Sequence, residues 1–104
     1  MADNKTLNEI RGKIAEKKDF LEKTYGVQEI GVFGSVVRGE DTPFSDIDLL
    51  FNIEKNKENA ISVFDLVDMK LYLENLLGKT VDIVEKKSVK PRFKQKIFNE
   101  VIMI

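Results

Sequence analysis

The sequence predicts an α/β fold in which a small mixed β-sheet is flanked by helices. Three segments carry apolar residues at helical spacing, and short apolar runs rich in β-branched residues alternate with them. The connection between the first two predicted strands, residues 34–44, is about eleven residues long, which is shorter than parallel crossovers usually are. We therefore expect the first two strands to be antiparallel. The third strand follows a long helix, so we expect it to lie parallel to the second.

The first helix is predicted from a capping box, with Thr6 as its N-cap and Glu9 reaching back to it. Its apolar positions fall on one face: Leu7, Ile10, Ile14 and Leu21. Gly26 follows that face, at the position where helices commonly end in a left-handed residue. We therefore expect an amphipathic helix that packs its apolar face on the sheet.

The remaining elements follow in chain order. We predict strands at residues 27–33, 45–53 and 80–84, a helical turn at 35–39, loops at 40–44 and 54–59, and helices at 62–77 and from about 91 to 101. Gly78 is placed to end the second long helix, and Pro91 is tolerated in the first turn of the last one. The chain, residues 1–104, is expected to form a single domain.

The composition restricts the chemistry that this chain can perform. It contains no cysteine and no histidine, which excludes a thiol nucleophile, a disulfide framework, a Ser-His-Asp triad and a histidine-based zinc site. Any catalysis must therefore use carboxylates, lysines, hydroxyls and a hard metal ion. The 17 basic and 18 acidic residues give a net charge of −1, so no direct binding to nucleic acid is expected from overall charge.

Neither a membrane partner nor export is expected from the sequence. Residues 1–5 are not followed by an apolar segment of the kind that signal sequences have. No apolar stretch approaches the roughly 20 residues that a membrane-spanning helix needs. We therefore expect a cytoplasmic location.

The most informative motif is Gly34-Ser35, followed after ten residues by Asp46-Ile47-Asp48. Alternate residues of a strand point to the same face, so Asp46 and Asp48 are expected to project together, about 7 Å apart. Two carboxylates this close repel one another unless a cation lies between them. Magnesium is commonly held by one or two carboxylates together with substrate phosphates. Together with the Gly34-Ser35 turn, the pair predicts a metal-dependent nucleotide site.

Two further residues complete the predicted site. Gly34 lets the backbone approach a ligand closely, and Ser35 opens a short helix whose free N–H groups attract phosphate. The predicted strand order places Asp82 beside Asp46 and Asp48, where a third carboxylate would complete a cluster for two metal ions. Two ordinary interpretations stay open here: Asp82 as an outward residue of an edge strand, and Arg38 as a solvated helix residue.

The residues from Phe33 to Gly39, together with the segment from Ser45 to Leu49, resemble the signature of the polymerase-β-type nucleotidyltransferase superfamily, in particular its minimal nucleotidyltransferase (MNT) branch. This resemblance implies the minimal nucleotidyltransferase fold and the transfer of AMP from ATP to a hydroxyl. It implies a catalytic and metal-binding set: Asp46, Asp48 and Asp82. It also implies that Gly34 and Ser35 form a phosphate-binding turn, and we expect Arg38 and Ser45 to contribute to nucleotide binding.

The resemblance also implies cofactors and a partner. Two Mg²⁺ ions are expected, with Mn²⁺ as an alternative, and ATP is the expected substrate. Short members of this branch act as antitoxins of toxins with a HEPN domain, so a tyrosine of a HEPN toxin is the expected acceptor. Two alternatives remain: an enzyme that modifies a small molecule such as an aminoglycoside, and an antitoxin that neutralises by binding alone. The apolar tail, residues 101–104, is equally compatible with a partner interface and with the core.

Overall fold

The computed structural model describes residues 4–104, so residues 1–3 of the N-terminal segment considered above lie outside the described part. The elements in chain order are α1 (Lys5–Tyr25), β1 (Val27–Phe33), α2 (Ser35–Arg38), β2 (Ile47–Ile53), α3 (Val63–Leu77), β3 (Val81–Glu85), α4 (Pro91–Glu100) and β4 (Ile102–Met103). Short 3-10 helices cover Lys55–Ala60 and Lys86–Ser88. The alternation of helices and strands agrees with the α/β prediction.

The four strands form one mixed sheet in the order β3-β2-β1-β4. Strand β1 pairs antiparallel with β2 and with β4, whereas β2 pairs parallel with β3. The short connection after β1 therefore joins an antiparallel pair, as predicted, and the helical crossover between β2 and β3 joins a parallel pair, as predicted. This topology confirms the predicted small mixed sheet flanked by helices.

The predicted start of the first helix is wrong. The N-cap is Asn4, whose side-chain oxygen accepts a hydrogen bond from the Leu7 N–H at 3.1 Å, and Thr6 lies inside the first turn. Asparagine caps helices at least as well as threonine, and the Asn4 amide also donates to the Val36 carbonyl at 2.7 Å. This second bond joins α1 to α2, so a tertiary contact selects the cap. The predicted apolar face is buried, as expected.

Three other expectations change in detail. Strand β2 starts at Ile47 rather than at Ser45, because the Ser45 hydroxyl closes a turn by accepting the Thr42 N–H at 2.8 Å. The loop predicted at 54–59 is largely a 3-10 helix. The apolar tail forms β4, whose Met103 pairs with Gly31, where an added Cβ would clash with the Met103 side chain. The tail therefore extends the sheet.

The two faces of the sheet have different surroundings. The main core lies on the face packed by α1 and α3, and it includes Ile47, Leu49 and Phe51 of β2. The alternate residue Asp48 points to the opposite face, next to residues of α4. Between residues 4 and 104, no helix is long and apolar enough to cross a membrane.

Candidate active site

The turn after β1 places the backbone of Gly34 directly against Asp48. Gly34 has φ +83° and ψ −154°, a region that is essentially restricted to glycine. A Cβ at this position would overlap the Oδ2 atom of Asp48. Glycine is therefore required for two reasons, the backbone conformation and the space that the carboxylate occupies. Gly34, from the first half of the predicted motif, thus contacts Asp48, from its second half.

Strand pairing brings Asp48 and Asp82 side by side. They are direct partners in the parallel β2–β3 pair, and Asp48 is also opposite Phe33 at the end of β1. The pKa of the Asp48 carboxyl is raised by its burial, and further by the negative charges of Asp82 and Asp46. The predicted proximity of Asp48 and Asp82 is therefore present in the structure. Their catalytic roles remain predictions.

Asp46 occupies the position immediately before β2. Its Oδ1 atom accepts a hydrogen bond from the Thr80 hydroxyl, and Thr80 immediately precedes β3. The backbone continues this link, because the Ile47 N–H donates to the Thr80 carbonyl at 3.0 Å. The Asp46 carboxylate is thus oriented by the residue that leads into the neighbouring strand.

The predicted cluster of three carboxylates is not closed. Among residues 4–104, no group of three or more acidic side chains is drawn together as a metal site. The donors nevertheless suit a hard divalent cation, because carboxylate oxygens are its preferred ligands. After burial, repulsion from Asp82 and Asp46 raises the pKa of Asp48 further, and a bound cation would relieve that repulsion.

A cavity of about 370 Å³ opens over the carboxylates, a volume within the range of small-molecule sites. Its walls combine the acidic residues Asp48 and Asp82 with apolar side chains of β3 and α4. Lys90 also lines it, and the sequence reasoning did not single this residue out. The available signal was the run of six cations without an acid between residues 86 and 96.

The other predicted nucleotide-binding residues have distinct environments. Ser35 is the first residue of α2 and follows Gly34 directly. Arg38 ends that helix, where its guanidinium pairs with Glu40 at 2.8 Å and with Glu100 at 2.5 Å. The Ser45 hydroxyl takes part in the turn before Asp46. Sequence reasoning also missed Glu100, because no local pattern connects it with a turn more than sixty residues earlier.

A second groove reaches Asp82 from the side of α3. It has a volume of about 480 Å³, and Val63, Val67 and Ile83 are among the residues that line it. Several large apolar side chains of α3 remain exposed beside it, with Phe64 85% exposed. The groove includes one of the site carboxylates, Asp82, and exposed apolar surface of this kind is typical of interaction sites.

Comparisons with known proteins show the family to which this chain is similar. A sequence model of the nucleotidyltransferase domain family matches residues 14–104. The protein adenylyltransferase MntA of Thermococcus cleftensis is 39% identical over 99 residues, which cover 95% of this chain and 96% of the relative. A solved structure described as a minimal nucleotidyltransferase shares 34% identity and superposes with a TM-score of 0.75, covering 92% of this chain and 93% of that one.

A more distant likeness concerns the complex of a tri-AMPylated Shewanella oneidensis HEPN toxin with an MNT antitoxin. One chain of that complex superposes with a TM-score of 0.63 at 17% identity, covering 90% of this chain and 70% of that one. At this level of identity, the likeness shows a shared fold.

Proposed function

Because the chain belongs to the nucleotidyltransferase domain family, we propose that it is an antitoxin that transfers AMP from ATP to a hydroxyl of a partner HEPN toxin. The observation that carries this proposal is the packing of the Gly34 turn against Asp48, with Asp82 paired beside it. This arrangement joins a backbone turn suited to phosphate with carboxylates suited to a cation. Nucleotidyl transfer requires both.

In the proposed reaction, an oxygen of the acceptor hydroxyl attacks the α-phosphorus of ATP, and the bond to pyrophosphate breaks. The Gly34-Ser35 turn would hold the phosphates, and Asp46, Asp48 and Asp82 would hold Mg²⁺ or Mn²⁺. Such ions, when bound, neutralise developing charge on the attacking and leaving oxygens. Asp82 would accept the proton of the hydroxyl. Phosphoryl transfer depends mainly on positioning and charge, so a site without histidine is adequate.

The surface around the carboxylates favours a protein acceptor. The groove from α3 leads to Asp82 between apolar side chains, and Phe64 and Val67 extend the apolar surface away from the site. The relative from Thermococcus cleftensis is named a protein adenylyltransferase, and the Shewanella oneidensis complex holds an AMPylated HEPN toxin. We therefore place a HEPN toxin on this side of the molecule, with a tyrosine hydroxyl as the acceptor.

The proposal is tested by mixing the protein with the HEPN toxin that we expect to be encoded beside its gene, together with ATP and MgCl₂, and by measuring the intact mass of the toxin. The expected result is the addition of one or more AMP groups with the wild-type protein and of none with Asp48→Asn. Tryptic mapping then identifies the modified hydroxyl. An unmodified toxin held in an inactive complex would contradict the proposal and favour neutralisation by binding alone. Modification of an aminoglycoside but not of the toxin would also contradict it.

A further inference from the structure

Glu100 connects the last helix with both ends of the short helix next to the carboxylates. Its Oε2 atom accepts the Gly34 N–H at 2.9 Å, and its Oε1 atom accepts a guanidinium N–H of Arg38 at 2.5 Å. Gly34 precedes α2 and Arg38 ends it, so a single carboxylate spans the whole turn. The Glu100 side chain is only 15% exposed, which distinguishes this pair from an ordinary surface ion pair.

The bond from Gly34 has a direct geometric consequence. A hydrogen bond to its N–H fixes the plane of the peptide between Phe33 and Gly34, and thereby the direction in which the chain enters α2. The α-carbon of Gly34 also lies directly against the Asp48 carboxylate, so that an added Cβ would overlap it. A rotation of this peptide would therefore move Ser35 relative to Asp48. Hydrogen bonds to an ionised carboxylate are among the stronger ones in proteins, so the connection is suited to hold the turn.

The charge on Glu100 is consistent with that role. Burial alone would raise the pKa of its carboxyl, but the bonds from Arg38 and Gly34 hold the pKa below its usual value. Glu100 therefore remains ionised at neutral pH. Arg38 is correspondingly committed to Glu100 and Glu40. Two of its N–H groups therefore support the turn, and its predicted part in nucleotide binding stays a prediction.

We propose that Glu100 is a positioning residue for nucleotidyl transfer, which acts through Gly34 and Arg38 to hold the Gly34-Ser35 turn against Asp48. The inference rests on the proposed function, because that function supplies the reaction that the turn serves. It does not require Glu100 to contact the nucleotide.

The test compares Glu100→Ala and Glu100→Gln with the matched control Glu40→Gln. Glu40 binds the same guanidinium at 2.8 Å but is 63% exposed and belongs to the loop after α2. We expect Glu100→Ala to lower kcat for AMP transfer by about 10- to 100-fold, because a displacement of about 1 Å at a reacting group has effects of this size. Glu100→Gln keeps an oxygen that can accept the Gly34 N–H, so its kcat should be about tenfold higher than that of Glu100→Ala. Glu40→Gln should stay within about twofold of wild type.

Two readouts separate positioning from a general loss of stability. Kinetics are measured below the melting temperature of every variant, with kcat and the KM for ATP determined separately. Exchange of the Gly34 amide proton, followed by NMR, should be at least about tenfold faster in Glu100→Ala than in wild type, with Glu100→Gln intermediate. Wild-type kcat and KM in Glu100→Ala, or an unchanged Gly34 exchange rate, would overturn the inference.

The same experiment distinguishes this inference from the proposed function. A wild-type protein that transfers no AMP, yet protects the Gly34 amide only when Glu100 is present, would refute the proposed function. It would also support the connection between Glu100 and the turn.

Discussion

Replacement of Gly34 by alanine tests the closest contact in the site. The backbone there has φ +83° and ψ −154°, and an L-residue in this region is expected to lose about 1–3 kcal/mol of stability. For a domain of about 100 residues, each 1 kcal/mol corresponds to roughly 4–8 °C. We therefore expect Gly34→Ala to lower the melting temperature by about 5–20 °C, measured by differential scanning calorimetry.

The same substitution should also disturb catalysis, because the new Cβ would overlap Oδ2 of Asp48. The carboxylate must then move, and a displacement of about 1 Å lowers transfer by up to about 100-fold. Gly39→Ala is the matched control. Gly39 also has a positive φ, +72°, but a Cβ there meets no atom within 4 Å. Gly39→Ala should lower the melting temperature by several degrees and leave the rate of AMP transfer within about twofold of wild type.

Transfer by both variants is measured at a temperature where each is fully folded. If Gly34→Ala transfers AMP as fast as the wild type, the contact between the turn and Asp48 does not position the reacting groups, and the reasoning is refuted. Equal losses of transfer in both variants would refute it as well, because backbone strain alone would then account for the effect.

Three further predictions concern the carboxylates and the partner surface. Because the pKa of Asp48 is raised above its ordinary 3.8, the folded protein retains this proton at a pH where the unfolded chain has lost it, so stability falls as pH rises through the folded pKa. In EDTA, the stability advantage of Asp48→Asn over wild type should therefore grow as the pH rises from 4 to 7. An advantage of the same size at pH 4 and at pH 7 would contradict this. ATP should bind at least about tenfold more tightly with Mg²⁺ than with EDTA in calorimetric titrations, and equal affinity would argue against a metal-bridged site. Phe64→Ser should raise the KM for the toxin by about tenfold without changing ATP affinity, and an unchanged KM would exclude this surface from docking.

The parts of the fold that depend on local patterns and connection lengths were predictable. The short connection after β1 required antiparallel pairing, and the helix before β3 allowed a parallel crossover. These two facts together were sufficient to place Asp82 beside Asp48. Gly26 and Gly78 end their helices in left-handed conformations, as their positions after apolar faces indicated.

The features that depend on distant side chains were not predictable. Asn4 replaces Thr6 as N-cap because it also reaches the Val36 carbonyl, 32 positions away. The orientation of Asp46 depends on the hydroxyl of Thr80, which is distant in sequence. Glu100 reaches the Gly34 turn from the far end of the chain. Such contacts arise only when the sheet is assembled, so periodicity and spacing contain no signal for them.

The central claim is that the Gly34-Ser35 turn and the three aspartates form one site for a metal-bound nucleotide. A crystal structure with MnCl₂ and a non-hydrolysable ATP analogue, with data collected at a wavelength where manganese scatters anomalously, tests this directly. We expect anomalous density between Asp48 and Asp82, with the phosphates of the analogue on the turn at Ser35. Manganese bound elsewhere, or phosphates bound away from this turn, would contradict it.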